Sequence, residues 1–557
     1  MTTQRISATD NCIEIDGKLD LLLFLVDLLD IEINENKAFS NDEDELTDEK
    51  LIERAIKCHN LLHNKDFKIL WEMLEFHSQL TIVIENNYID RVYRDSYYSY
   101  YSRKHFEHNR FCKRIFLFDR TKVKKNKIFI VSERILENAF IGLVVIRPLQ
   151  FGKIGRSLLN PFKISKPDLV SDIYLRYASY SATMFGKRLK IKAFPYSTQD
   201  EETTSCAEIT ILNLLDYFST KYAEYKYLLP SDITDIAVKN GYERKLPSKG
   251  LDYLLISKIF MEVGFSPVLY NTSKLENFSK FKRIMHYYVE SGIPIAIGLM
   301  LPNEMRHAIV CIGHGKVEHS RIGSRRYSIS NNKSRLWIID TADLISDYVV
   351  MDDNQKPYSI YTWQDKLTST TFGDAMIPEF LMVPLYKHMF LEAADAYDIC
   401  TSILADEKLG IKTNINFENA DFSSLGKKEN PIVIRLFMAS ARGFKHQRIN
   451  YFSKTNREIK ELYLNTPFPK FVWVCEIYRK NDYSQNMCCG EIIIDATSTS
   501  HATTRSIILL HYPYRAIQQL PNNENNSLFF QPLEKWENFL GYRGNLKNFS
   551  ITPLINN

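Results

Sequence analysis

The chain has 557 residues, 45% of them apolar and 25% charged, a globular balance that at this length calls for roughly two to four domains. A net charge of +4 is too small for a chain-wide nucleic-acid or membrane-surface role. The nine cysteines are scattered with no C-x-x-C pair, which excludes a zinc ribbon or dithiol motif and points to reduced thiols in a cytoplasmic protein.

Residues 1–127 read as a mostly helical region. Leu19, Leu22, Leu23, Val26 and Leu29 share one helical face, and Asp20, Asp27 and Asp30 keep the stretch from being a signal peptide. No run approaches the 18 or so apolar residues of a membrane span, so no membrane partner is expected. The acidic run Asn41–Asp48 reads as a loop and helix start. Residues 86–127 interleave Tyr88, Tyr93, Tyr97, Tyr98, Tyr100 and Tyr101 with Arg103, Lys104, Arg110, Lys122 and Lys124, a pattern that could bind single-stranded nucleic acid. No binding motif accompanies it, and a tyrosine-rich helix packed on a neighbour is the preferred reading. His105 and His108 lack a third ligand and read as surface histidines.

Residues 128–195 read as a short β segment and linker, with strands at Ile128–Val131 and Phe140–Arg147. The stretch F-G-K-I-G-R-S at 151–157 lacks the P-loop pattern and reads as a turn.

The most informative stretch is Gln199–Phe218. Thr203, Thr204 and Ser205 are N-cap types, and Ile211, Leu212, Leu215 and Phe218 follow at helical spacing. Cys206 therefore falls in the first turn of a helix, where partial positive charge favours a nucleophilic thiolate. Gln199, seven residues upstream, can supply an oxyanion-binding amide. A hundred residues later, Ile293–Met300 and His307–Ile312 read as a hairpin turning at Pro302 and Asn303. Its second strand opens on His307, a base presented from a rigid element. A third strand, Leu336–Ile339, ends at Asp340, placed to orient the imidazole. Asp343, Asp347, Asp352 and Asp353 follow it.

The segment H-A-I-V-C-I-G-H-G at 307–315 resembles the histidine strand of papain-like cysteine peptidases, with His314 where the family carries an aromatic residue. The order Gln199, Cys206, His307, Asp340 is similar too. The likeness is greatest to the bacterial double-glycine leader (bacteriocin-processing) peptidases, in which a helix such as the one read at 246–265 lies between Cys and His. The resemblance covers about residues 191–385. It implies an α+β fold with a papain-like domain at 196–385, its Cys-bearing helix packed on an antiparallel sheet that carries His and Asp. It also implies a Cys206–His307–Asp340 triad with Gln199 at the oxyanion, a protein or peptide substrate, and no cofactor or metal.

Between His307 and Asp340, Arg321, Arg325 and Arg326 mark a basic insertion read as a solvated loop. Residues 386–557 read as a C-terminal α/β domain, with a helix at Phe390–Leu404 and strands at Ile432–Met438, Phe471–Tyr478, Gly490–Ala496 and Ser506–His511. Two further functions stay open. One is acyl transfer of the transglutaminase or amidase type by the same residues. The other is an inactive or gated module whose large flanks recognise a regulatory protein or, through 86–127, nucleic acid.

Overall fold

A computed structural model describes residues 11–548, apart from 33–46, 78, 165–172, 242–249, 273–277, 303, 319, 321–325, 332–333, 364–366, 370–374, 413–423, 499–504 and 520–527. Most of the acidic run 41–48, the turn residue Asn303 and the insertion residues Arg321 and Arg325 lie outside the described residues. The fold mixes helices with three large, mainly antiparallel sheets. No helix among the described residues is long and apolar enough to cross a membrane.

The strands of the N-terminal sheet are β1 (Cys12–Asp16), β2 (Gln79–Tyr88), β3 (Cys112–Asp119), β4 (Phe140–Ile146) and β5 (Ser157–Leu159). After β6 (Ile173–Leu175), which leaves this sheet, come β7 (Ala178–Met184) and β8 (Lys187–Tyr196). The sheet order is β1-β2-β3-β4-β5-β8-β7. Within 1–127, three strands stand among the helices Lys18–Leu28, Asp48–Cys58, Lys65–Leu74 and Arg91–Ser99, and their sheet continues to residue 196. Strand β4 is buried at every position, as its unbroken apolar run requires. The expected strand at Ile128–Val131 does not form. It follows the short helical turn Lys125–Lys127, and Ile130 is 81% exposed.

Next come β9 (Phe265–Asn271), β10 (Ile295–Met300) and β11 (Arg306–Gly315). The chain then forms β12 (Tyr327–Asn331), β13 (Ser334–Asp340), β14 (Asp347–Met351), β15 (Ser359–Trp363), β16 (Leu367–Ser369) and β17 (Ala375–Tyr386). Strands β10, β11, β14, β15, β16 and β17 pair in that order, and β17 pairs back onto β10, so the sheet closes on itself; β9 adds beside β17 and β6 beside β11. The expected β10–β11 hairpin is present, pairing Leu299 with His307.

Strand β13 is absent from this ring. It runs parallel to β18 (Ile432–Ser440) in the C-terminal sheet, which continues through β19 (Phe471–Arg479) to the strands at Gly490–Asp495, Ile507–Tyr512, Arg515–Gln519 and Leu528–Pro532. The expected C-terminal helix is seen at Ala393–Ala405.

The helix Cys206–Lys221 sits where the N-terminal sheet meets the ring, touching β7, β8 and β11. The sequence reads as amphipathic, yet every residue from Ala207 to Phe218 is buried, because both sides are covered. Its polar residues carry partners: Asp216 pairs with Arg156 at 2.6 Å, and the Tyr217 hydroxyl accepts from Arg176 at 2.8 Å. Alternation along β11 divides the apolar cores. Ala308, Val310 and Ile312 join the core containing this helix, whereas Ile309 and Cys311 join the core shared with the C-terminal sheet.

Candidate active site

The loop before Cys206 is held by buried polar groups. The Asp200 carboxylate accepts the backbone N–H groups of Thr203 at 2.8 Å and Thr204 at 2.7 Å. Burial works against its charge, but Arg147 and these bonds outweigh burial and keep its pKa below the usual carboxylate range. Arg147, only 4% exposed, donates to the carbonyls of Thr198 and Gly152 on either side of the loop. Gly152 adopts φ +61°, and a Cβ there would lie 2.1 Å from the Gln199 carbonyl oxygen, so only glycine fits. Ser96, on the tyrosine-rich helix Arg91–Ser99, meets the Thr203 hydroxyl at 3.1 Å. That helix therefore backs the cysteine loop, with Tyr93 and Tyr101 buried.

The Ser205 N–H donates to the Glu208 carboxylate at 3.0 Å, closing the first turn of the helix that starts at Cys206. Cys206 is half-buried. Among the other cysteines only Cys58 is exposed, and the remaining seven are buried.

His307 is 6% exposed. Its Nε2 lies 2.8 Å from Asp352 Oδ1, and Cys206 is near enough to the ring to favour its protonated form. Burial pushes the imidazole pKa down. The Asp352 charge and hydrogen bond, with help from Cys206 and Asp353, overcome this and hold it well above the ordinary histidine value. Asp352 also accepts the Asn354 N–H at 2.8 Å and the Tyr361 hydroxyl. Burial raises its pKa, but His307 and these donors bring it below the ordinary value. The Asn354 amide nitrogen sits 3.5 and 3.3 Å from the two ring nitrogens of His307.

Asp353 is buried beside this pair, 3.8 Å from His307 Nε2 and 3.9 Å from Lys65 Nζ. Burial, reinforced by Asp352, raises its pKa, while His307, Lys65 and the backbone of Gln199 draw it down. His307, Asp352 and Asp353 offer ligand atoms within 4.8 Å of one another, so the chemistry of a cation site is present. Both oxygens of Asp352 are already bonded to His307, Asn354 and Tyr361, however. The set fits an oriented imidazole better than it fits a metal ion.

The structure thus brings together Cys206 and His307, with the Gln199 backbone beside Asp353. It does not bring Asp340 to His307. Asp340 ends β13 in the other sheet, where it accepts the Tyr287 hydroxyl and the Ala342 N–H at 2.9 Å, capping the short helix Thr341–Leu344. Burial, with Asp343 adding to it, pushes its pKa up to about 6. The strand that flanks β11 is β14, with Met351 opposite Val310. Antiparallel pairing sets the end of β14 beside the start of β11, and so Asp352 beside His307. The signal for Asp352 was legible as an acid directly after the apolar run Tyr348–Met351. Asn354 lies in the turn-like segment 352–358 that the sequence sets near the site, whereas Arg147 and Tyr361 had no sequence signal.

No family model matches the chain, and a search of curated proteins finds no match.

Proposed function

We propose that the protein is a cysteine hydrolase, a papain-like peptidase in its arrangement, that uses Cys206, His307 and Asp352. The observation that carries this reading is a helix-start thiol near an imidazole that a buried carboxylate holds. Asp352 accepts the Nε2–H, leaving the other ring nitrogen for the Cys206 sulfur. The sulfur attacks a substrate carbonyl. The protonated His307 then gives its proton to the leaving amine as the C–N bond breaks, leaving a thioester on Cys206. Water, deprotonated by His307, attacks that thioester; the acid departs and the Cys206–His307 pair is restored. The Cys206 backbone N–H and the Gln199 side chain are the candidate oxyanion donors, and the Arg147–Gly152–Asp200 bracing holds them in place. A peptide substrate suits this chemistry, and the resemblance of the histidine strand favours it.

The test is labelling and turnover on one sample. A peptidyl electrophile is expected to modify Cys206, as read by peptide mass spectrometry, and Cys206→Ala to lose both the modification and any amide hydrolysis. Hydrolysis that persists in Cys206→Ala would sink the assignment. Transfer of the acyl group to an added amine in preference to water would instead mark an acyltransferase.

A further inference from the structure

A cavity of about 320 Å³ lies at the end of β11 opposite His307, where β6, the end of the helix Phe278–Glu290, and residues 543–548 converge. Its volume lies within the range of small-molecule sites. His314, at the other end of the strand that begins with Arg306 and His307, is in its wall with Glu290 and Arg435.

Among the described residues, the charge lining this cavity is unbalanced. Glu290 is the only acid among the described lining residues, and it is already held. Arg435 contacts its Oε1 through Nε at 2.9 Å, and His314 Nε2 lies 2.8 Å from its Oε2. Arg543 and Lys547 also line the cavity, and among the described residues neither forms an ion pair. The nearest acceptor of Arg543 is the Tyr174 hydroxyl at 3.5 Å, with the Tyr174 ring centroid at 6.0 Å. Lys547 is fixed through its backbone, which pairs with Leu175. Burial lowers the Lys547 pKa, and Arg176 and Lys192 lower it further, marking a region short of negative charge. The Thr341 hydroxyl is sealed from this cavity, the residue being 2% exposed, and is not among its donors.

A guanidinium and an ammonium are donors suited to one tetrahedral oxyanion. The cavity is about ten times the volume of a water molecule in liquid, larger than an inorganic anion needs. Leu546, Val317 and Ile345 give it apolar wall for an organic part. We infer that this cavity binds a small phosphate monoester, its phosphate held by Arg543 and Lys547. The site does not depend on the thiol chemistry of Cys206.

Isothermal titration of the full chain with ribose 5-phosphate, AMP, inorganic phosphate and adenosine tests this. At least one of the two esters is expected to bind, adenosine is not, and inorganic phosphate is expected to bind at least about tenfold more weakly than the better ester. Arg543→Gln and Lys547→Gln, confirmed folded by circular dichroism, are each expected to weaken ester binding by about tenfold. Three results would overturn the inference: no heat from either ester at about 1 mM, affinity unchanged in the Arg543→Gln/Lys547→Gln double variant, or equal affinity for ester and inorganic phosphate.

Discussion

His307 Nε2 and Asp352 Oδ1 are 2.8 Å apart because β14 runs antiparallel to β11, bringing the first residue after β14 to the start of β11. The acid that orients the imidazole therefore comes from the strand after the one that sequence order suggests. This relationship separates two carboxylates that twelve residues of sequence leave interchangeable.

Asp352→Ala and Asp340→Ala should fail in different ways. Without Asp352 the imidazole loses its orienting acceptor, and the rate of Cys206 modification should fall by about a hundredfold or more. Asp340→Ala removes a helix cap and leaves the buried Tyr287 hydroxyl unpartnered, at a cost of roughly 1–3 kcal/mol in stability. Its labelling rate should remain near wild type. Equal labelling defects in the two variants would contradict the assignment of Asp352.

Alkylation against pH should distinguish Cys206 from exposed Cys58, which serves as an internal control. His307 is held protonated well above the ordinary histidine value, so Cys206 should react faster than Cys58 at pH 7. An ordinary exposed thiol reacts about tenfold faster per pH unit while pH stays below its pKa of about 8.5. In His307→Ala the Cys206 profile should collapse onto that of Cys58. A wild-type Cys206 that already tracks Cys58 would show that the pair is not activated.

The bracing of the cysteine loop predicts loss of function without loss of any reacting group. Gly152→Ala places a Cβ against the Gln199 carbonyl and imposes an unfavourable φ. Arg147→Ala strips donors from the Thr198 and Gly152 carbonyls, on the order of 3 kcal/mol. Both should slow Cys206 labelling at least about tenfold, an effect of the size expected from misplaced catalytic groups. Hydrogen exchange should localise the change to residues 198–206. Normal labelling in both would show that the loop does not need this frame.

Two buried histidines make the fold acid-labile. Burial, with His314 adding in one case and Arg448 in the other, lowers the pKa values of His286 and His511 to about 3. Their folded pKa lies below the unfolded value of about 6.5, so between these limits the unfolded chain binds more protons and stability falls as pH falls. The slope is at most about 1.4 kcal/mol per pH unit for each histidine. His307 has the opposite sign: its contribution is complete below about 6.5 and is lost only as pH rises through its raised pKa. Thermal melts should therefore show a lower Tm at pH 5.0 than at pH 7.5, with a smaller difference in His511→Phe. An identical Tm at the two pH values would contradict this.

A chelator separates the imidazole reading from a cation at His307, Asp352 and Asp353. EDTA treatment should leave Cys206 labelling and any hydrolysis within about twofold of the untreated protein, since neither step as written uses a metal. Loss of activity restored by a divalent cation would assign these carboxylates to a metal instead.

Sequence by itself determined what local chemistry fixes. Capping residues and apolar spacing placed Cys206 in the first turn of a helix, where Ser205 and Glu208 close that turn. Alternating and unbroken apolar runs gave the β10–β11 hairpin with His307 near the start of its second strand, along with most of the C-terminal strands. The tertiary structure alone decided which strand lies beside β11. Strand β13 ends in an aspartate and β14 is followed directly by one, and their propensities do not distinguish them. The choice rests on long-range pairing, which sends β13 parallel to β18, more than ninety residues later, and leaves β14 in the ring. The same cause hid the N-terminal strands, which acquire partners only across helical insertions, and the buried Arg147, whose acceptors converge from separate turns.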